Sequence, residues 1–328
     1  MSEIEPISKK SPWGKRIRLI FVLILSWLVL LGLIFNFRLD KIPALSADPS
    51  LSAPKGQAWL VMGSDSRGEK KDPALKGVPL GKFEGARADT IMLLSIAQSF
   101  SGLSLTSLPR DLLVEIPAFG DNSARENKIN AAYAFGGPEL SVKTVQNFSQ
   151  VEIQHYLEVG FVGLINLVDA VGGIEVCPTQ DFADEKAGLY IQAGCQEIDG
   201  KTALAYSRAR YTDPKGDLGR VERQQEVIKS LIKKVTSIST ILNPVAQYRI
   251  VWNLGEAITV DEKTNAFDLS LLVFAALREI NSGTLPVESG GRVENVGSVL
   301  IPIEPQATQI FEDIKNGRIV NFELQDNS

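Results

Sequence analysis

Histidine is almost absent from this sequence, which contains one residue of that type, His155, and only three methionines in 328 residues. This shortage leaves little material for histidine-based catalysis or for a transition-metal site. An excess of positive charge is also missing, because the net charge is -5 at pH 7. A nucleic-acid-binding domain is expected to be basic, so the composition argues against such a partner. His155 lies in an alternating segment typical of a strand, which favours a structural role.

Charged residues are missing from residues 19–35, and Ile17 and Phe37 extend this apolar run at its edges. The run is close to the ~20 residues that a helix needs to cross a bilayer. Because the residues before it are rich in positive charge, we expect that side to stay in the cytoplasm and the rest of the chain to be exported. These positive residues are Lys9, Lys10, Lys15, Arg16 and Arg18.

The chain is therefore predicted to consist of four parts. They are a cytoplasmic tail at residues 1–16, a transmembrane signal anchor at 17–37, an extracytoplasmic linker at 38–56 and a single catalytic domain at 57–328. The linker is predicted from the Pro-, Ser- and Ala-rich composition of residues 43–55. A cleaved signal peptide is the alternative to the anchor. The length of the apolar run and the charged segment at residues 38–41 favour the anchor.

Strand and helix patterns alternate along the folded part. The predicted strands are residues 57–63, 90–96, 103–108, 155–159, 174–177 and 299–303. The predicted helices are residues 127–134, 138–148, 161–171, 200–206, 221–239, 266–280 and 306–315. Such alternation predicts an α/β architecture in which helices cover the layers of a sheet.

Cysteine is scarce, since the chain contains only Cys177 and Cys195, and both lie in the part predicted to be exported. An oxidising compartment permits a disulfide between them. Two buried free thiols are the alternative. Neither cysteine lies near the histidine in the sequence, so a nucleophilic thiol is not expected.

Arginine is concentrated in residues 206–225 of this acidic chain. Arg208 and Arg210 are two residues apart, so in an extended strand both guanidinium groups leave the same face. Arg220, Arg223 and Gln224 stand at i, i+3 and i+4, which is one face of a helix. Converging guanidinium groups suit phosphate oxygens, and several together suit a diphosphate. The alternative is a solvated helix face with ordinary surface ion pairs.

Two aspartates lie at the ends of neighbouring predicted strands. Asp65 follows the first strand and Asp89 precedes the second. Open α/β sheets bind ligands at strand ends, and two carboxylates with room for water and substrate phosphates suit Mg²⁺. Either aspartate alone would be an ordinary turn residue. The nearby Arg87, and Arg110 after the third strand, favour an anionic ligand at this position.

Six short motifs occur in a fixed order behind the predicted anchor. They are Gly-Ser-Asp-Ser-Arg, Arg-Ala-Asp-Thr, Leu-Pro-Arg-Asp, Lys-Ile-Asn-Ala-Ala-Tyr, Tyr-Ser-Arg-Ala-Arg and Asp-x-x-Arg-x-x-Arg-Gln. In this order they resemble the LytR-CpsA-Psr family over residues 57–235. The chain departs from that pattern through an insertion at residues 69–85. Its cysteine pair is similar to that of actinobacterial members.

The resemblance implies a three-layer α-β-α fold with a mixed central sheet, and an enzyme of the cell envelope. Such proteins transfer an anionic glycopolymer from a polyprenyl-diphosphate carrier to peptidoglycan through a phosphodiester bond. By the same resemblance Asp65 and Asp89 would hold Mg²⁺, Asp217 would be the base or position a water, and the polyprenyl tail would occupy an apolar cavity. The residues that would bind the diphosphate are Arg87, Arg110, Arg208, Arg210, Arg220 and Gln224.

Two other functions use the same residues. A phosphatase or pyrophosphatase acting on the carrier would differ only in using water as the acceptor. A non-catalytic regulator would bind the lipid diphosphate without transfer. The sugars of the polymer and the acceptor hydroxyl are not specified by these motifs.

Overall fold

The computed structural model of the chain describes residues 12–46, 48–64, 73–76, 78–79, 88–210 and 217–322. Within these residues, helices α1 to α9 are Pro12–Arg38, Ala131–Ser149, Phe161–Ala170, Gly200–Arg208, Asp217–Val235, Ile238–Ile241, Pro244–Ala257, Ala266–Ala276 and Gln306–Lys315. Strands β1 to β15 are Asp40–Ile42, Gln57–Ser64, Ala88–Ile96, Leu103–Ser107, Leu113–Ile116, Arg125–Lys128, His155–Gly160, Ile174–Val176, Phe182–Asp184, Leu189–Ile191, Gln196–Ile198, Ile258–Asp261, Ile280–Thr284, Val287–Val293 and Gly297–Pro302.

Seven of the described strands form one central sheet in the order β1-β12-β7-β2-β3-β4-β13. The pairs β1–β12, β7–β2 and β4–β13 are parallel. The pairs β12–β7, β2–β3 and β3–β4 are antiparallel. The interior strand β4 is buried at every position, which is typical of a sheet that is covered on both faces.

Helices cover the sheet on both sides because successive side chains of a strand point to opposite faces. From β2, Leu60 packs in one apolar cluster with residues of α2 and α9. Its neighbour Trp59 packs in a second cluster with residues of α3, α7 and α8 and with Phe35 at the end of α1. The fold is therefore a three-layer α-β-α arrangement around a mixed sheet, which confirms the predicted class.

The predicted linker at residues 38–56 is wrong as a separate segment. Residues Asp40–Ile42 form β1, which extends the central sheet by pairing with β12, and Ala44 is fully buried in the core. The pairing covers the backbone groups that β12 would otherwise expose as an edge strand. A Pro- and Ser-rich composition does not reveal such pairing, because the partner strand lies more than 200 residues away.

Three predicted helices have different boundaries in the structure. The helix expected at residues 127–134 begins only at Ala131, because residues Arg125–Lys128 pair with β5 as strand β6. Helix α5 begins at Asp217 and ends at Val235, before Ser237, which caps α6. Helix α8 ends at Ala276, since residues from Ile280 pair with β4 as β13. The predicted helix at residues 306–315 coincides with α9.

Candidate active site

Helix α4 carries the first arginines of the candidate site. Asp199 precedes it, and its carboxylate accepts a hydrogen bond from the backbone N–H of Thr202 at 2.8 Å, as an N-cap does. The helix continues through Arg208, so the prediction that Arg208 and Arg210 share a strand face is wrong. Arg208 lies in the last helical turn, where a cation is favourable for the helix dipole. Arg210 lies just beyond the end of the helix.

Helix α5 brings its predicted face of Arg220, Arg223 and Gln224 against the end of α4. These side chains are only 4%, 5% and 7% exposed, which excludes the solvated-face alternative. Arg223 donates to the carbonyl oxygens of Tyr206, at 3.2 Å, and Ala209. Gln224 donates to the carbonyl oxygen of Ser207 at 3.3 Å. The Arg223 guanidinium and the Gln224 amide therefore satisfy carbonyl oxygens at the end of α4. These carbonyls have no hydrogen-bond partner within the helix itself.

Arg208 and Arg210 are held by different parts of the chain. Arg208 donates from Nη2 to the carbonyl oxygen of Pro79 at 3.0 Å, and its guanidinium lies 5.0 Å from the ring centre of Phe161. The backbone N–H of Arg210 donates to the buried carboxylate of Asp184 at 2.8 Å. The same carboxylate accepts from the N–H groups of Lys186 and Ala187. The β9–β10 hairpin thus positions Arg210.

Arg110 lies in the loop between β4 and β5, beside a second cation that the sequence did not single out. Asp111 accepts a bond from Lys128 Nζ at 2.7 Å and lies 3.5 Å from Arg110 Nε. Lys128 belongs to β6 and to the Lys-Ile-Asn-Ala-Ala-Tyr motif. Its place in this motif could have indicated that Lys128 belongs to the site. The incorrect assignment of residues 127–134 to a helix hid the fact that Lys128 lies on a strand beside Arg110.

Side chains from these elements line one cavity of about 970 Å³. Among the described residues, its charged lining consists of Arg110, Asp111, Lys128, Asp184, Lys186, Arg208, Arg210 and Arg220, and its uncharged polar lining includes Asn127 and Gln224. The rest includes a set of aliphatic side chains from β2, α3 and α5, namely Val61, Leu164, Leu167, Val227, Ile228 and Leu231. Six of the charged residues are cationic and two are anionic. The cavity therefore suits an amphiphile with an anionic head and an apolar tail.

Part of the predicted site lies outside the described residues. This applies to Asp65 and Arg87, and to the side chains of Asp89 and Asp217. The backbone of Asp89 lies in β3, and Asp217 is the first residue of α5. Among the residues that are described, no group of three or more potential metal ligands occurs. The magnesium site at Asp65 and Asp89 stays a prediction.

A buried carboxylate supports the end of β2, directly before Asp65. Glu158 on β7 accepts hydrogen bonds from the hydroxyl groups of Ser64, Tyr133 at 2.7 Å and Tyr156 at 2.6 Å. Burial, together with the charge of Glu158, raises the pKa of Tyr156 well above its usual value. Three hydroxyl donors satisfy the oxygens of this buried carboxylate. The network fixes β2, β7 and α2 relative to one another.

The histidine and the cysteines lie apart from the cavity lining. His155 stacks on Trp59 at 4.1 Å between ring centres, and its Nδ1 lies 2.7 Å from Thr264 Oγ1. Cys177 and Cys195 form a disulfide, as the sequence predicted for an oxidising compartment. Neither feature offers a nucleophile or base to a ligand in the cavity.

The motifs and the fold agree with a comparison of the whole chain with models of known protein families. A family model described as the LytR_cpsA_psr family matches residues 39–316. The chain belongs to the LytR-CpsA-Psr family. The match includes β1, in agreement with the finding that residues 40–42 belong to the folded domain.

Members of the LytR-CpsA-Psr family with curated names are similar to this chain. The "Probable cell wall biosynthesis protein LcpB" of Corynebacterium glutamicum is 38% identical over 88% of this chain and 68% of its own length. The "Polyisoprenyl-teichoic acid--peptidoglycan teichoic acid transferase TagU" of Enterococcus faecalis is 41% identical over 50% of this chain and 52% of its own length. This chain thus spans about two thirds of one relative and about half of the other.

The fold is also similar to that of solved LytR-CpsA-Psr structures. One of them, described as "LytR-Csp2A-Psr enzyme from Actinomyces oris", superposes with a TM-score of 0.67 at 20% identity. The superposition covers 85% of this chain and 96% of that one. At this identity the likeness shows the fold alone.

Proposed function

We propose that this protein transfers an anionic glycopolymer from a polyprenyl-diphosphate carrier to peptidoglycan and leaves a phosphodiester bond. The two-part lining of the cavity carries the proposal, because cationic side chains suit a diphosphate and the aliphatic side chains suit a polyprenyl tail. The similarity to a relative named as a teichoic acid transferase supports the same reaction class.

In this proposal the diphosphate is bound by the cations that converge at the end of α4. Arg110, Arg208, Arg210 and Arg220 would contact phosphate oxygens, and Gln224 would add an amide donor. Lys128 and Lys186 line the same cavity and would add to the positive potential. Phosphoryl transfer requires mainly the positioning of the reacting groups and the stabilisation of spreading negative charge, which such groups supply.

Magnesium is the metal that we propose for this site, with Asp65 and Asp89 as its protein ligands. The pairing of Ser64 with Ala88 brings the end of β2 and the start of β3 side by side, and each aspartate is the next residue in the chain. Two carboxylates with open positions for phosphate oxygens fit Mg²⁺. When bound, the ion would neutralise negative charge on the diphosphate.

The reaction is a displacement at phosphorus. The acceptor hydroxyl oxygen of peptidoglycan forms a bond to the phosphorus nearer the glycan. The bond from that phosphorus to the bridging oxygen breaks, and polyprenyl phosphate leaves with the electron pair. The hydroxyl proton passes to a carboxylate, for which we propose Asp217 at the start of α5. The arginines would hold the charge that develops on the leaving phosphate.

A single-pass location supports access to such a substrate. The described part of the chain contains one helical segment, Lys15–Arg38, that is long and apolar enough to cross a membrane. We propose that its positive N-terminal flank lies in the cytoplasm and that the domain lies outside. The disulfide between Cys177 and Cys195 fits an oxidising, extracytoplasmic compartment. The anchor would keep the enzyme on the surface that holds the carrier, which raises the effective concentration.

The test uses the full chain in lipid nanodiscs with a polyprenyl-diphosphate glycan, peptidoglycan and Mg²⁺. Mass spectrometry should detect the glycan joined to peptidoglycan through one phosphate, together with polyprenyl phosphate. Arg220→Ala should abolish most of this product, whereas Lys229→Ala on the exposed face of α5 should not. Free glycan phosphate without a peptidoglycan adduct would instead identify a hydrolase. Binding of the carrier with no product of either kind would identify a regulator.

The metal has its own test, independent of turnover. Asp89→Asn is nearly isosteric, so it should remove the heat of Mg²⁺ binding in calorimetry while the thermal unfolding midpoint without Mg²⁺ is kept. Equal Mg²⁺ affinity in the parent and in this variant would contradict the assignment.

A further inference from the structure

An uncharged, partly exposed segment follows α5 and has no role in the site described above. Residues 235–248 contain no Asp, Glu, Lys or Arg, and they form the end of α5, α6 and the start of α7. Apolar side chains on α6, α7 and α8 face outward, and we call six of them the apolar belt: Ile238, Leu242, Val245, Phe267, Phe274 and Leu277. Leu242 is 75% exposed and Phe267 is 67% exposed. Helices α7 and α8 both contact α1, and exposed apolar side chains clustered around one helix in this way indicate an interaction site.

Helix α7, whose start carries part of the belt, packs against α1. Trp27, Leu31 and Phe35 form one stripe on α1 with a spacing of four residues, and the last two are buried. Trp27 Nε1 donates to Gln247 Oε1 on α7 at 2.8 Å. At the other end of the contact, Arg38 Nε donates to the carbonyl oxygen of Trp252 at 3.3 Å. Helix α7 therefore runs beside the second half of α1.

The length of this contact determines how deep α7 would lie in a membrane. Trp27 is the middle residue of the uncharged run at residues 19–35. A helix rises about 1.5 Å per residue, so Trp27 lies roughly 16 Å along the axis from Arg38. That distance is about half of a ~30 Å hydrocarbon core. If α1 spans the bilayer, Gln247 lies near the midplane of the hydrocarbon core, and the start of α7 lies within that core.

Moving α1 outward would not remove α7 from the lipid without a large cost. A shift that lifts Trp27 to the membrane surface would bring Lys15, Arg16 and Arg18 into the hydrocarbon core. Charged side chains at that depth are strongly unfavourable. The position of the positive flank therefore limits how far outward the α1–α7 contact can move, and the exposed Arg249 on α7 would extend its side chain toward the headgroups.

The polar groups of the α6–α7 turn are satisfied within the protein, as a low-dielectric environment requires. The side chain of Asn243 accepts from the N–H groups of Val245 and Ala246 at 3.0 and 3.1 Å, which caps α7. The amide of Gln247 accepts from Trp27 and donates to the carbonyl oxygen of Ile241. Such internal bonds let the turn enter lipid without exposed backbone donors.

Aromatic and arginine side chains are paired beside the belt. The Arg38 guanidinium lies 3.8 Å from the ring centre of Trp252, and that of Arg278 lies 5.3 Å from the ring of Phe274. Tryptophan and arginine are typical of the boundary between headgroups and hydrocarbon. These pairs indicate where the domain leaves the membrane.

We propose that the apolar belt is a membrane-embedded surface, which inserts α6, the start of α7 and part of α8 into the outer leaflet beside α1. The inference rests on the proposed anchor and its orientation but not on the transfer reaction.

The membrane-embedded belt would lie close to the apolar part of the cavity. The cavity-lining Ile228 and Leu231 pack in the same apolar cluster as Val251 and Leu254 of α7. A carrier lipid in the outer leaflet would thus lie beside the layer that contains the apolar part of the cavity.

The test places a small environment-sensitive fluorophore at single positions of the full chain in nanodiscs with one protein per disc. The test variants are Leu242→Cys and Phe267→Cys. Leu25→Cys on α1 is the lipid control, and Tyr190→Cys, at a residue 70% exposed on β10, is the aqueous control. The native cysteines are joined in a disulfide, so only the introduced thiol reacts. Quenching by nitroxides on lipid acyl chains is compared with quenching by iodide in water.

Labels at positions 242 and 267 should be quenched by lipid nitroxides several-fold more than the label at 190, and should be protected from iodide like the label at 25. If they respond like the label at 190 while the label at 25 responds to lipid, the membrane surface is disproved and the anchor stands. Protection from both quenchers would mean that protein covers the belt, and would also disprove the proposal. A label at 25 that responds to iodide would overturn the anchor and the belt together.

Discussion

The two helix pairs α4–α5 and α1–α7 are each joined by an arginine that donates to backbone carbonyl oxygens, but the two pairs face different surroundings. In the first, Arg223 of α5 donates to the carbonyl oxygens of Tyr206 and Ala209 at the end of α4. In the second, Arg38 of α1 donates to the carbonyl oxygen of Trp252 on α7. Both pairs thus use a guanidinium as a bridge between helices, and the difference lies in what each pair presents outward.

The pair α4–α5 presents cations to a cavity, whereas the pair α1–α7 continues into exposed apolar side chains. Arginine composition alone therefore does not identify a ligand site in this protein. What distinguishes the candidate active site is several cations lining one cavity, with helix ends and Asp184 holding them in place. The following predictions test this distinction, starting with the largest expected effect.

Removing an arginine of the cavity on α4 should weaken carrier binding far more than removing a surface lysine on the neighbouring helix α5. A charge-assisted contact to phosphate is worth about 1.5–3 kcal/mol, so Arg208→Ala should weaken binding of a polyprenyl diphosphate by one to two orders of magnitude. Arg208→Lys should rescue poorly, because a point charge does not reproduce the guanidinium fork. Isothermal titration of the full chain measures both. The exposed Lys229→Ala is the control and should change binding by less than about 0.5 kcal/mol. Equal affinities in all variants would show that the diphosphate binds elsewhere.

Opening the disulfide should affect stability more than ligand binding. Cys177→Ser removes a crosslink across a sequence separation of 18 residues. In the chain-entropy model, a loop of this size contributes about 3 kcal/mol to the free energy of unfolding. Urea unfolding of the domain should show this loss, and reduction of the parent protein should reproduce it. An unchanged unfolding midpoint would mean that the bridge contributes nothing, and a loss of affinity as large as that of Arg208→Ala would contradict the separation of roles.

Two matched N-caps compare the regions directly. Asp199→Ala on α4 and Asn243→Ala on α7 should each lower the free energy of unfolding by about 1 kcal/mol, since each removes an acceptor for helix N–H groups. Only Asp199→Ala should also weaken carrier binding, because α4 carries Arg208. Thermal unfolding and titration of both variants provide the measurement. If Asn243→Ala weakened carrier binding more than Asp199→Ala does, the assignment of the carrier site to α4 would be contradicted.

The smallest expected effect is a pH dependence that originates at His155. Burial lowers the pKa of His155, although the nearby carboxylates of Asp261 and Asp268 oppose the shift. The unfolded chain therefore binds a proton more readily than the folded protein, so the free energy of unfolding should fall as the pH drops below about 6.5, by less than about 1.4 kcal/mol per pH unit. Unfolding curves at pH 7 and pH 6 for the parent and His155→Gln measure the difference. The same slope in both proteins would assign the effect to another group.

Local patterns predicted much of this fold. The helix predicted at residues 306–315 coincides with α9, because a helix of this kind depends on neighbours in the chain. The face formed by Arg220, Arg223 and Gln224 also follows from helical periodicity alone. The α/β class follows from the alternation of elements. The three-layer arrangement around a mixed sheet was implied by the resemblance to the LytR-CpsA-Psr family.

Elements that depend on distant partners were missed or misassigned. Strand β6 was assigned to a helix because its pairing with β5 is not visible in the sequence. Strand β1 was assigned to a linker because its partner β12 is more than 200 residues away. Arg208 was placed on a strand, although the capped helix continues to that residue and places the cation at its C-terminal end.

The sequence by itself therefore determined the apolar N-terminal segment, the arginine-rich segment, the family and most helices, because each of these depends on composition, short motifs or short-range periodicity. Only the tertiary structure decided that Arg223 binds carbonyls of α4 while Arg208, Arg210 and Arg220 line the cavity. It alone revealed Lys128 beside Arg110, the network around Glu158 and the contact between α1 and α7. These arrangements join residues that are distant in the chain, and their energies depend on burial and on partners that only the folded protein brings together.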